Sequence, residues 1–208
     1  MKLLHIDSSL MGAQSVSRQL SQAIMQAWCA ADPTLRVAYR DLATTQPPQL
    51  TGAVVRAMKF QDKAAASEAA GDMGFMEELL TEFLEADAIV IGAPMYNFSL
   101  PTQLKAWLDA LAQPGRTFAY TPEGPRGLAG AKRVVIASSR GGIYSKLPTK
   151  SKDFQEPYLV AVLNFMGITK IDIVRAEGVN LGAAQREDAL RQAHDQIRTL
   201  FAQAELVG

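Results

Sequence analysis

The stretch "AIVIGAPMYNFSLPTQLKAWLD", Ala88 to Asp109, decides the fold. It opens on an apolar run, Ala88 to Gly92, with no polar alternation, as expected of a strand covered on both faces. It closes on a helix from Thr102 to Ala112, where Leu104, Trp107, Leu108 and Leu111 recur at helical spacing. Between them stand Met95, Tyr96, Asn97 and Phe98, with Pro101 at the mouth of the helix. Loops with no task are usually small and polar. These side chains are either buried core or a platform for a planar ring.

The pattern of strand, loop and helix repeats outward in both directions. Lys2 to Asp7 is a short apolar strand, Ser8 to Gln14 a loop, and Ser15 or Ser17 caps a helix running to about Ala30. Leu35 to Leu42 forms a second strand. From Gln46 to Asp72 the chain is Pro-rich, then Ala-rich and weakly helical; a connection of that length suggests a lid or an interface element. Phe75 to Glu85 reads as a helix, and Thr117 to Gly130 as a Pro/Gly-rich excursion holding a short hairpin. Arg133 to Ala137 is a fourth strand and Ile168 to Ala176 a fifth, separated by a helix over Phe154 to Met166. A helix from Ala183 to Ala204 closes the chain.

Strands alternating with helices indicate parallel β/α construction, and strands apolar on both faces need helices on both sides of the sheet. The expected fold is therefore α/β: a flavodoxin-like, doubly wound, five-stranded parallel sheet in a single domain spanning residues 1–208. In such sheets ligands bind beyond the carboxyl ends of the strands, near the topological switch point.

Composition removes several functions. Twenty-one basic residues balance twenty-one acidic ones, so no single-sign field exists to hold nucleic acid or an anionic membrane. Cys29 is the only cysteine, which excludes an internal disulfide and fits a reducing cytoplasm. "MKLLHID" is too short and too soon charged for a signal peptide, and no apolar stretch approaches a membrane span. His5 and His194 are too far apart in sequence to suggest a metal site, so none is expected.

Three loops at strand ends carry the functional signal. "SSLMGAQSVSR", Ser8 to Arg18, puts four serines before a helix N-terminus, where free N–H groups and the helix dipole favour an anion. It reads equally as a helix cap with a polar loop. It lacks G-x-G-x-x-G and the P-loop pattern, so a phosphate here would be held and not transferred. "PMYNF" is the second loop. "SSRGG", Ser138 to Gly142, is either a turn or a place where Gly141 and Gly142 admit a ligand close to the backbone. The sequence shows no nucleophile, metal set or acid/base pair, so the chemistry falls to a bound cofactor.

"HIDSSLMGAQSVSRQL", "APMYNFSLPTQLKAWLD" and "SSRGGIY", with "FMGI" and "AEGV" later, resemble the FMN-dependent NAD(P)H azoreductases, a branch of the flavodoxin-like quinone reductases, along essentially the whole chain. The resemblance implies one FMN per subunit, with contacts at Ser9 and at Ser15, Val16 and Ser17 for the phosphate. It further implies ring contacts at Met95, Tyr96, Asn97 and Phe98, and ring-edge contacts at Ser139, Arg140, Gly141 and Gly142. NADH or NADPH would donate electrons, and small planar quinones and azo compounds would accept them in a ping-pong cycle at N5 of the flavin. No side chain is expected to be catalytic in its own right. Phe98, Tyr120 and Phe154 are the expected walls around the substrate, in a homodimer with two sites at its interface. Two other readings share the fold and the FMN: a flavodoxin-type electron carrier, against which the neutral charge counts, and a non-enzymatic flavin sensor.

Overall fold

The computed structural model describes residues 1–202, so the end of the closing helix expected at Ala204 lies outside the described residues. Five parallel strands form the main sheet: β1 (Lys2–Asp7), β2 (Arg36–Asp41), β3 (Ala88–Pro94), β6 (Arg133–Arg140) and β7 (Lys170–Glu177). Their order is β2-β1-β3-β6-β7, the doubly wound arrangement with its switch point between β1 and β3. A separate antiparallel hairpin, β4 (Phe118–Thr121) and β5 (Gly124–Gly127), occupies the Pro/Gly-rich excursion, as expected.

Period-two alternation along the strands divides the interior into two cores. Leu4, Ile6, Ile89, Ile91, Val134 and Ile136 face one side, under α4 (Ala70–Glu85), α5 (Thr102–Leu111) and α6 (Glu156–Phe165). Leu3, Val90, Val135, Ala137 and Val174 face the other, under α1 (Val16–Ala31) and α7 (Ala183–Ala202). Trp107 is fully buried in the first core, edge-on to Phe83 at 6.0 Å between ring centroids. Burying such rings contributes about 2–3 kcal/mol each.

Two expectations need correction and one is sharpened. The Gln46–Asp72 segment, expected to be weakly helical, packs into the first core: α2 (Gly52–Phe60) contributes Ala53, Val54 and Ala57, α3 (Lys63–Glu68) contributes Ala65, and Ala69 joins them at the N-cap of α4. Its small side chains let these short helices pack closely. Strand two is not covered on both faces: Arg36 to Tyr39 are exposed, because α1 lies over β3 and β6 and leaves this edge strand open. β6 continues through Ser138, Ser139 and Arg140, so only Gly141 and Gly142 of "SSRGG" form the loop.

Candidate functional site

The carboxyl ends of β1, β3 and β6 meet in one cleft of about 580 Å³, within the usual range for a small-molecule site. Its walls include Ser9, Ser15 and Val16 from the first loop, Met95 and Tyr96 from the second, and Ser139 and Gly141 from the third. Specific hydrogen bonds hold the loops together. The Tyr96 hydroxyl lies 3.2 Å from Ser9 Oγ and accepts from the Leu10 N–H at 3.1 Å. The Met95 N–H donates to the Ser139 carbonyl at 2.8 Å. Beneath them Ser8 Oγ donates to the Gly92 carbonyl at 2.7 Å.

At the serine loop, Ser15 is the N-cap of α1 and its Oγ accepts from the Arg18 N–H at 3.2 Å. The N–H groups of Val16 and Ser17, the first two of the helix, have no intrahelical partner and are available to an anion. The Ser17 side chain is fully buried and paired with Ser15 Oγ at 3.0 Å. Ser17 can therefore offer its backbone to a ligand, while its hydroxyl serves the cap.

The platform loop is a two-residue turn. Tyr96 and Ser99 exchange both backbone hydrogen bonds, 2.9 and 3.0 Å, and Asn97 (φ 48°) and Phe98 (φ 70°) lie between them in left-handed conformations. Positive φ at both central positions is the type I′ pattern. Asn tolerates it, whereas a phenylalanine there costs about 1–2 kcal/mol. The turn leaves the Phe98 ring exposed, edge-on to Tyr144 at 6.0 Å.

At the third loop, a Cβ on Gly141 would come within 2.7 Å of Asn180 Nδ2, so the bare glycine keeps the cleft wall open. Arg140 reaches the cleft only through its backbone. Its guanidinium is buried and held by Asp153 at 2.8 Å, Glu156 at 2.8 Å and Glu177 at 2.9 Å. Burial alone would raise Glu177, but hydrogen bonds from Ser145, the Tyr144 N–H and Arg140 outweigh it and hold the carboxyl below the usual glutamate range. Gln155 extends this network, accepting from Arg140 Nε at 3.0 Å and donating to the Ala93 carbonyl at 2.7 Å. The ends of β3 and β6 are thus supported by a charged cluster below the cleft floor.

Of the expected ligand contacts, Ser17, Asn97, Phe98 and Gly142 stand outside the cleft walls, Ser17 buried and Phe98 at an exposed position beside the platform. Phe154 is brought close, its N–H donating to the Phe98 carbonyl at 3.0 Å. Tyr120 stands apart on the hairpin against Phe118, whose ring meets Phe165 of α6. The sequence reading missed Gln14, Asn180 and Arg186, which also line the cleft. The last two follow the fifth strand, and the same rule about carboxyl ends could have drawn attention to that loop. His5 is buried and His194 exposed, and the described residues hold no cluster suited to a metal ion.

A larger groove, 770 Å³, runs along the open side of β2. Its polar groups chiefly satisfy one another: Asp7 accepts from Ser21 Oγ at 2.7 Å and Tyr39 at 3.1 Å, and Arg18 pairs with Asp41. Burial and the neighbouring Asp7 push the Tyr39 hydroxyl up to about 12, so it stays protonated. The three strand-end loops do not converge there. The smaller cleft is the stronger site.

Fold and cleft define a doubly wound α/β protein with a cleft of small-molecule size at its switch point. The chain belongs to the flavodoxin-like fold family, whose family model matches residues 1–201, and within it to the FMN-dependent NADH:quinone oxidoreductases and azoreductases. It is 49% identical over 197 residues to an FMN-dependent NADH:quinone oxidoreductase of Rhizobium meliloti (strain 1021), covering 95% of each chain. It is 51% identical over 201 residues to one of Laribacter hongkongensis (strain HLHK9), covering 96% of this chain and all of the relative. Among solved structures, an azoreductase from Bacillus anthracis str. Sterne superposes with a TM-score of 0.90 at 29% identity, covering 98% of this chain and 99% of the other. An FMN-dependent NADH-azoreductase from Bacillus anthracis str. Ames Ancestor, solved in complex with FMN, superposes with a TM-score of 0.87 at 25% identity, covering 98% of both chains.

Proposed function

We propose that this chain is an FMN-dependent NAD(P)H oxidoreductase that reduces quinones and cleaves aromatic azo compounds, with FMN in the cleft between the three loops. The observation that carries the reading is their convergence: Tyr96 is tied to Ser9 and Leu10, and Met95 to Ser139. The residues fit the cofactor. The free N–H groups of Val16 and Ser17, with the hydroxyls of Ser9 and Ser15, suit a terminal phosphate at the helix N-terminus. Met95 and Tyr96 offer a flat flank, and the bare Gly141 lets Asn180 pack into the cleft wall, where a Cβ would meet its Nδ2 at 2.7 Å. When bound, FMN supplies two-electron hydride chemistry, which none of the side chains in the cleft could perform.

The chain's own part is to bind and orient. The strained turn at Asn97 and Phe98 fixes where the next backbone groups point, and the Arg140 cluster keeps the third loop at its distance. Donor and oxidant take turns at the same open mouth, which makes the kinetics ping-pong. Phe98 and Phe154 stand where they can flank a planar substrate.

We also read the protein as a cytoplasmic homodimer. Leu50, Val55 and Phe60, around and on α2, and Tyr120 on the hairpin are exposed apolar groups suited to a partner subunit. No helix among the described residues is long and apolar enough to cross a membrane. Tyr120 would then wall a site across the interface and not within its own chain. Anaerobic NADH should bleach the yellow protein at the rate of turnover, and a quinone should restore the colour at once. Slow bleaching points to the sensor, and bleaching only through a separate reductase points to the electron carrier. Sedimentation of a fully active monomer would exclude the dimer.

A further inference from the structure

The segment after the third loop, Ile143 to Phe154, is unlike the rest of a neutral chain. Lys146, Lys150 and Lys152 are all exposed, and none has a carboxylate within ion-pair distance among the described residues. The acid nearest in sequence, Asp153, is already taken by Arg140 at 2.8 Å. The segment is ordered: Thr149 Oγ1 donates to the carbonyls of Ile143 at 2.6 Å and Lys146 at 3.0 Å. Both of its ends are tied to the platform, Tyr144 through its ring against Phe98 and Phe154 through its N–H to the Phe98 carbonyl. Lys152 Nζ lies 5.9 Å from the centroid of the Phe98 ring, close enough for a cation–π contact.

We propose that this basic strap makes the enzyme selective for substrates that join a planar ring to an oxyanion: phosphate, sulfonate or carboxylate. The proposal rests on the reading of the neighbouring cleft as the FMN site. A ring that stacks beside Phe98 carries any attached anion toward Lys152, and the exposed Lys146 and Lys150 of the same segment add to the local positive charge. Because the whole chain has a net charge of zero, the attraction is local and not a property of the overall field. Exposed charges of this kind act on encounter more than on chemistry, so kcat/KM should respond and kcat should not.

Two substrates could supply the oxyanion: the dinucleotide donor through its diphosphate, or an anionic acceptor. The holoenzyme and a Lys146→Gln, Lys150→Gln, Lys152→Gln variant are compared with matched pairs. The donor pair is NADH against an N-benzyl dihydronicotinamide that has no phosphate. The acceptor pair is a naphthoquinone sulfonate against the same quinone without the sulfonate. At low salt the variant should lose about tenfold in kcat/KM for one or both anionic members, and less than about twofold for the neutral ones. Whichever pair responds identifies the source. In the wild type alone, raising ionic strength from about 0.01 M to about 1 M shrinks the Debye length from about 30 Å to about 3 Å and should close the same gap, so the proposal stays testable if the variant folds poorly. Equal changes for charged and neutral partners, or none, overturn it while leaving the oxidoreductase reading intact. A wild type that retains no FMN sinks that reading and the proposal with it.

Discussion

The Tyr96 hydroxyl stands 3.2 Å from Ser9 Oγ and accepts a hydrogen bond from the Leu10 N–H, joining residues 87 positions apart. It is the direct link between the loop that would hold a phosphate and the loop that would hold a ring. Tyr96→Phe removes both bonds while keeping the aromatic flank. FMN affinity should fall about three- to tenfold, equivalent to roughly 1 kcal/mol, with little change in melting temperature. Calorimetric titration of the apoprotein measures this, and an unchanged dissociation constant would show that the loops bind independently.

Gly141→Ala should narrow the cleft, because the new Cβ meets Asn180 Nδ2 at 2.7 Å. The backbone conformation tolerates alanine, so the fold should hold and FMN affinity should drop about tenfold or more. Adding Asn180→Ala should recover most of the loss. If the double variant binds as weakly as the single, crowding is not the cause.

Gln14 lines the cleft, is exposed, and precedes the N-cap Ser15. Gln14→Glu adds a charge with almost no change in shape. At a separation of about 6 Å from a phosphate, with an effective dielectric between roughly 20 and 80, the repulsion is roughly 0.7–3 kcal/mol, or about three- to a hundredfold in FMN affinity. Riboflavin, which has no phosphate, should bind both proteins alike. Gln14 suits this test better than Ser17, whose buried side chain has no room for a carboxylate. Equal weakening of both flavins would move the phosphate out of this loop.

The Arg140 cluster predicts a pH dependence. Burial opposes ionisation of Glu177, but bonds from Ser145, the Tyr144 N–H and Arg140 more than offset it, so the folded-state pKa is depressed. A depressed carboxylate contributes stability above its unfolded pKa and loses it as pH falls through the folded value. Glu177→Gln should therefore be less stable than wild type at pH 7, with the gap closing below about pH 4. Urea unfolding of both proteins across that range checks it. A gap that stays constant with pH would mean that the charge on Glu177 contributes nothing.

Much of the fold was legible because its causes are local. Apolar runs at Lys2–Asp7 and Ala88–Gly92, helical spacing from Val16 to Trp28, and Gly/Pro punctuation depend only on near neighbours in sequence. They determined five parallel strands and the three loops at their carboxyl ends. The helical character between Gly52 and Glu68 was legible only weakly, and its place in the core was not, since alanines become core only when elements distant in sequence pack against them.

What the sequence by itself determined was the order of elements and the chemistry available at each strand end. Tertiary structure alone decided which of those groups face the cleft. Arg140 sits in a loop motif, yet its guanidinium turns inward because three carboxylates wait there from α6, β7 and the segment before α6. Ser17 looks like a phosphate ligand, yet helix geometry spends its hydroxyl on Ser15. Asn180 and Arg186 reach the cleft from the far end of the chain, because β7 lies next to β6 and ends at the same edge of the sheet. Orientations of this kind depend on contacts between residues distant in sequence, and local periodicity carries no record of them.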